Sequence, residues 1–302
     1  MKAYKGFDKD LKCRDFQYEI GKEYEEKEAK ACEKGFHACT NPLNVLQYYP
    51  PCYENRYCEV EQDGKFSENG DDSKVASTKI KISNEISLEE LIQATIDKSG
   101  ESEICSINTG DRTVAENTEN YSMALNKGYS SIAANTGNCS SATTAISVSI
   151  AANAGDYSVA YSQKARSIAA NIGESSAALS GGRRSIAANT RERSAAISYG
   201  EDSVAINVGN YSTAINKAAA SVALNVGGRA EASVTEEGSI AIATGIQSRA
   251  KGGLGSAIVL VERATWNGVR YPINNIKAAI VDGEKIKADT WYTLKNGEFV
   301  EA

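Results

Sequence analysis

Ser131-Ile132-Ala133-Ala134-Asn135 returns as Ser149-Ile150-Ala151-Ala152-Asn153, as Ser167-Ile168-Ala169-Ala170-Asn171 and as Ser185-Ile186-Ala187-Ala188-Asn189, each copy eighteen residues after the last. Between them run looser copies, Ser158-Val159-Ala160-Tyr161-Ser162, Ser176-Ala177-Ala178-Leu179-Ser180 and Ser194-Ala195-Ala196-Ile197-Ser198. Counted from Thr113 to Ser248 there are sixteen nine-residue copies, and the third position of all sixteen is Ala, from Ala115 to Ala250. An eighteen-residue unit made of two unlike halves is the signature of one coil of a flattened parallel β-solenoid, each half supplying a short strand and a turn. About eight coils are expected, stacked at roughly 4.8 Å into a rod on the order of 40 Å long.

Apolar side chains suggest which way each strand faces. Positions two and four carry Ile132, Ile150, Ile168, Ile186, Val204 and Val222 in one set and Leu125, Tyr161, Leu179, Ile197 and Ile215 in the other. Burying one such side chain contributes roughly 1.5–3 kcal/mol, so positions two and four are expected inside. The opposite arrangement, with Ser and Ala packed into a very narrow core, stays open at this point. Asn117, Asn126, Asn135, Asn153, Asn171, Asn189, Asn207, Asn216 and Asn225 are expected to stack into a hydrogen-bonded ladder under either arrangement. Gly110, Gly128, Gly137, Gly155, Gly173, Gly200, Gly209, Gly227 and Gly245 share position seven, where a turn with positive φ is expected.

Around this block the 302 residues divide into a small α+β domain (1–84), a capping helix and linker (85–103), the solenoid (104–253) and a C-terminal β cap (254–302). In the first domain, Lys2–Phe7, Phe16–Ile20, Phe36–Cys39, Arg56–Gln62 and Val75–Ile82 read as strands and Gly64–Asp72 as a polar loop. Tyr24–Lys34 reads as a charged helix ended by Gly35, and Asn41-Pro42 as the start of a helix that reaches Tyr49. Ser87 opens a helix with a capping box to Glu90 and Ile86 placed to pack on Leu91, and this helix is expected to plug the first coil. Ala257–Glu262, Ile276–Val281 and Trp291–Leu294 form the β cap, with Asp282-Gly283 and Asn296-Gly297 as tight turns. Trp266 and Trp291 are expected to close the far end of the core.

The net charge of −6 argues against a protein that tracks nucleic acid along its phosphates. Arg183, Arg184, Arg191 and Arg193 nevertheless make one local basic edge, the candidate binding surface of the repeats. No apolar run is long enough to cross a membrane, and the N-terminus lacks the apolar core of a signal peptide. Seven Cys without a CxxC pair suggest a cytoplasmic location with mostly buried thiols. The single histidine, His37, lies near Cys32, Cys39, Cys52 and Cys58, but the spacing matches no closed zinc site, and no metal or other cofactor is implied. Tyr4, His37 and Glu59 are the weak catalytic candidates. The repeats lack the carboxylates of calcium-binding nonapeptide rolls.

These residues carry three resemblances. The Ser-Val-Ala-Ile and Ser-Ile-Ala-Ala repeats resemble those of trimeric autotransporter adhesin heads, which implies a β-roll that packs side by side with copies of itself. Ala3-Tyr4-Lys5-Gly6-Phe7, Gly35-Phe36-His37-Ala38-Cys39, Asn41-Pro42, Tyr48-Tyr49 and Asp289-Thr290-Trp291-Tyr292 resemble an uncharacterised family of phage and prophage proteins. The order of strands around Tyr4 and His37 is similar to that of ADP-ribosyltransferase-like folds. The expected function is therefore a non-enzymatic homo-oligomer, built along the solenoid in the host cytoplasm, that binds a host or phage protein or a nucleotide and so inhibits a defence system. A nucleotide-dependent transferase in the first domain and a virion structural component are the alternatives.

Overall fold

A computed structural model describes residues 1–68, 73–101 and 105–302. The chain falls into two compact units, Met1–Lys98 and Ser99–Ala302.

Unit 1 is built on five strands: β1 (Lys2–Phe7), β2 (Glu23–Glu25), β3 (Phe36–Cys39), β4 (Arg56–Glu68) and β5 (Lys74–Ile86). β1 pairs with β4 over all six of its residues, whereas it meets β3 at one pair, Tyr4 opposite Cys39. β5 pairs with β2, β3 and β4, so the sheet closes on itself. Alternation puts Ala3, Phe7, Phe36, Ala38, Cys58, Val60, Ile80 and Ile82 on the inside, with Leu11 and Tyr18 joining the same core. Pro42–Gln47 forms one short 3₁₀ helix, shorter than the stretch to Tyr49. The capping box of the following helix α1 (Leu88–Gly100) is present in both directions. Ser87 N donates to Glu90 Oε2 at 2.7 Å, and Glu90 N donates to Ser87 Oγ at 3.2 Å.

Two readings of unit 1 need correction. Tyr24–Lys34 is not a helix: its start is strand β2, and its remainder is a loop closed by a Lys30–Lys34 bridge, with Cys32 and Gly35 at positive φ. Apart from Tyr24 the segment offers only Ala29, Ala31 and Cys32 to bury, and a helix without an apolar stripe gains too little packing to persist. Gly64–Glu68, expected as loop, continues strand β4, while 69–72 of that loop lie outside the described residues. The thiols also differ from expectation, since three of seven cysteines (Cys39, Cys52, Cys58) are buried.

Unit 2 is a β-solenoid of about nine turns between residues 105 and 260. Its four-residue rungs stack in parallel on two walls. One wall contains Met123–Asn126, Ser141–Thr144 and their equivalents. The other, the isoleucine wall, contains Ile132–Asn135, Ile150–Asn153 and theirs. Register holds at eighteen, with Ala133 beside Ala151, Ala169 and Ala187.

The inside is opposite to the one expected. The third-position alanines are 0–1% exposed, and first-position Ser and fifth-position Asn are buried beside them, while Ile132, Ile150 and Ile168 remain 36–37% exposed. Two walls joined by such short turns lie too close for facing Ile columns, so the core selects size before hydrophobicity. Asn126, Asn135, Asn153, Asn171, Asn207 and Asn225 bond across the core rather than to one another. Asn135 Nδ2 donates across the core to Ser122 O (3.3 Å) and Ser141 O (3.4 Å) on the other wall, while its Oδ1 accepts Gly137 N–H at 2.9 Å. The ladder between coils is made by serine instead, with Ser122 N donating to Ser140 Oγ at 3.0 Å, Ser140 N to Ser158 Oγ at 3.1 Å and Ser158 N to Ser176 Oγ at 3.0 Å.

Turn chemistry differs as well. Positive φ falls on position nine, at Ser130, Cys139, Val148, Tyr157 and Arg166 among others, and not on the position-seven glycines. Those glycines are required by crowding: a Cβ on Gly137 or Gly200 would stand 1.8 or 1.9 Å from the carbonyl oxygen of Glu119 or Gly182, one coil earlier. At the C-terminal end Ala257–Arg263 extends the isoleucine wall and pairs antiparallel with Ile273–Ile280, and Tyr292–Lys295 closes the other wall with Glu298–Glu301. Ile258, Leu260, Val281, Ile286, Tyr292 and Leu294 fill the end of the core. The tryptophans expected there lie outside it. Trp266 is exposed against Tyr271, and the Trp291 ring meets the cations of Arg249 (4.7 Å) and Lys251 (4.9 Å).

Candidate functional site

Past the single Tyr4–Cys39 pair, β1 and β3 separate, and a cleft of about 870 Å³ opens beside them in unit 1. Its lining includes Tyr4, Lys5, Gly6, Cys13, Arg14, Phe16, Tyr18, His37, Tyr48, Tyr49 and Lys74. Gly6 is dictated by that packing, because a Cβ there would lie 2.6 Å from the Tyr49 side chain. Where the strands part, Lys5 Nζ donates to the His37 carbonyl at 2.8 Å and approaches Cys13 Sγ at 3.5 Å.

His37 is held by its own loop. Nε2 accepts the Cys32 backbone N–H at 3.0 Å, which leaves the proton on Nδ1 to be donated to Gly35 O, also at 3.0 Å. Burial first, and then the charges of Lys5, Lys74 and Arg14, lower its pKa from 6.5. The ring is thus a neutral clamp on the 32–37 turn with no free nitrogen for a substrate proton. The folded pKa lies below the unfolded one, so this clamp contributes stability above about pH 6.5 that is lost as pH falls through the folded value. One histidine gives one imidazole resonance. Its proton NMR titration is expected to have a midpoint below 6.5, and a midpoint at or above that value would mean that the ring is not clamped.

Tyr4 shares the cleft with His37 and stands directly opposite Glu59 across β1 and β4. Glu59 is outside the cleft lining and pairs with Lys2 at 2.7 Å. Burial raises the pKa of Tyr4, of Tyr18 and of Tyr49, which keeps these phenols protonated. Cys58 is pushed up to about 12 by burial and is therefore an inert thiol. Among the described residues, no three His, Cys, Asp or Glu side chains gather as a metal-ligand set.

The basic edge of the repeats carries its own counter-charges. Arg183 meets Glu201 at 3.1 Å and Asp202 at 3.5 Å, Arg184 meets Asp202 at 3.6 Å, and Arg193 pairs with Glu174. Arg191 occupies position seven of its turn. Such pairs are solvated and contribute little, and they neutralise the edge on which an anionic polymer would have to rest.

Sequence reasoning missed Lys5, Cys13, Arg14 and Tyr49. A signal for Lys5 was present: in Lys2-Ala3-Tyr4-Lys5-Gly6-Phe7 it falls in phase with Ala3 and Phe7, the inward residues of the strand. No curated protein and no solved structure matched the chain. Residues 1–94, ending within α1 and short of the repeats, match the model of a domain of unknown function, DUF7666.

Proposed function

We infer that the protein is a non-catalytic binding protein that works as an assembly, pairing through the isoleucine wall of its solenoid and displaying unit 1 as the binding module. One observation carries this reading. Val114, Ile132, Ile150, Ile168, Ile186, Val204, Val222 and Ile240 form one unbroken outward column. Beside it Ala134, Ala152, Ala170 and Ala188 line a shallow groove over four rungs, which Ile206, Leu224 and Ile242 fill on the last three, and Glu116 is the one charge in these two columns. On this column Ile132, Ile150, Ile168 and Ile240 are 36–37% exposed.

Eight rungs at about 4.8 Å and four residues at about 3.3 Å give a face of roughly 500 Å². Two copies would bury about 1,000 Å², which meets the lower threshold for a specific interface. A single flat apolar face suits a two-fold pair, in which the same patch of each copy meets the other. Light scattering after size exclusion is expected to give a dimer for the wild type and a monomer for Ile150→Lys combined with Ile168→Lys. A wild-type monomer at micromolar concentration would overturn the assembly.

Within this reading, sequestration of a host protein or a nucleotide by a phage- or prophage-borne protein is the specific version we put forward, supported by the N-terminal motifs alone. A transferase activity is the weaker reading, because both His37 nitrogens are engaged by backbone.

A further inference from the structure

Lys5 occupies an inward position of β1 between Ala3 and Phe7 and is 6% exposed. Its ammonium has three N–H donors and two protein acceptors, the His37 carbonyl and Cys13 Sγ, and the Phe7 and Tyr18 rings each lie 5.5 Å away. Among the described residues no carboxylate pairs with it. A charge so far removed from water is destabilising by several kcal/mol unless an opposite charge or a full set of hydrogen bonds compensates it. The remaining donor belongs to a group that lines the cleft.

We propose that the cleft of unit 1 binds a small organic anion, a phosphate or carboxylate carried on a planar apolar body, with its anionic group seated on Lys5 Nζ. Arg14 and Lys74 line the same cleft and add to the positive field there. Asp15, Glu26 and Glu33 line it too, and they oppose a polyanion while leaving room for one anionic group at Lys5. A volume of about 870 Å³ far exceeds an inorganic phosphate and suits a ligand with a body. The exposed ring of Phe16 offers a flat surface for it. This names the ligand class for the binding half of the reading above and is independent of the assembly half.

The test is calorimetry on the full chain with adenosine monophosphate, benzoate and inorganic phosphate, against the uncharged adenosine and benzamide. Adenosine monophosphate or benzoate is expected to bind, and which of them does so separates the phosphate source from the carboxylate source. The uncharged partner is expected to be at least about 10-fold weaker, and Lys5→Met to lose about 10- to 100-fold in affinity. The His37 resonance gives a second readout that needs no variant, since an anion beside Lys5 should shift it saturably. If no anion binds or shifts that resonance at millimolar concentration, or if folded Lys5→Met binds as well as wild type, Lys5 is a structural plug and the proposal fails. Light scattering on the same samples reports the assembly separately.

Discussion

Replacing Asn171 by Asp is expected to destabilise the solenoid by roughly 3–5 kcal/mol at pH 7, and replacing it by Ala by about 2 kcal/mol. Asn171 Nδ2 donates to Ser158 O at 2.9 Å and Ala177 O at 3.3 Å, while its Oδ1 accepts Gly173 N–H at 2.8 Å. Alanine removes the staple and leaves the Gly173 amide without this acceptor. Aspartate keeps the shape but turns the donor into an anionic oxygen that faces two carbonyl oxygens in a site 1% exposed. Burial would raise the pKa of the new carboxyl above its unfolded value. Its penalty is therefore full above the folded pKa and shrinks as pH falls through it, so the aspartate variant should recover relative to wild type near pH 4. Urea unfolding followed by circular dichroism at pH 7 and pH 4 checks both the order of the variants and the sign. An aspartate variant as stable as the alanine one at pH 7 would show that water reaches the staple.

The second large effect is expected at Gly200. A Cβ there would stand 1.9 Å from Gly182 O and 2.2 Å from Gly182 C, so the turn must lift away from the coil before it. The chain contains its own comparison on the same edge of the rod. The hydrogen bond from position nine of one coil to position eight of the next is 2.8 Å at Tyr129, beside Gly128, and 2.9 Å at both Arg183 and Glu201, beside Gly182 and Gly200. Where position seven on this edge carries a side chain the bond is longer. It is 3.5 Å beside Ile146, 3.1 Å beside Lys164, 3.4 Å beside Ala218 and 3.5 Å beside Glu236. Gly200→Val should accordingly cost about 1–3 kcal/mol, and Ala218→Gly should gain a few tenths of a kcal/mol, roughly. Thermal melting gives the two signs, and hydrogen exchange at the Arg184 amide, which donates to Glu201 O, localises the first. Exchange unchanged in Gly200→Val would refute the crowding argument.

Much of unit 2 was readable because period, register and rung length all follow from one column of alanines. Which side faced inward was not readable from hydrophobicity. Ile132 and Ala133 compete for the interior, and transfer free energy favours Ile132, but the separation of the walls decides for Ala133, and that distance is set by turns whose geometry emerges only once the coils stack. The same holds for glycine. Gly137 and Val148 look like a permissive and a restrictive residue, yet the restrictive one holds φ at +61° while the glycine serves to admit a neighbouring carbonyl. In unit 1 the strands β1, β3, β4 and β5 and the Ser87–Glu90 cap were legible from local pattern, and β2 was not. The cleft was not, because it depends on β1 and β3 diverging after a single pair, a long-range matter of how β5 draws β3 away.

Stacking at a constant eighteen-residue offset makes rod length a quantity the chain can change in whole steps. Duplication or loss of one complete coil would leave each surviving contact with an equivalent partner and alter the height by about 4.8 Å. Gaining or losing half a coil would exchange the two sides beyond the junction, turning later isoleucines away from the earlier ones and cutting the column in two. Growth of this gene by recombination between its own repeats is thereby confined to even numbers of nonapeptides.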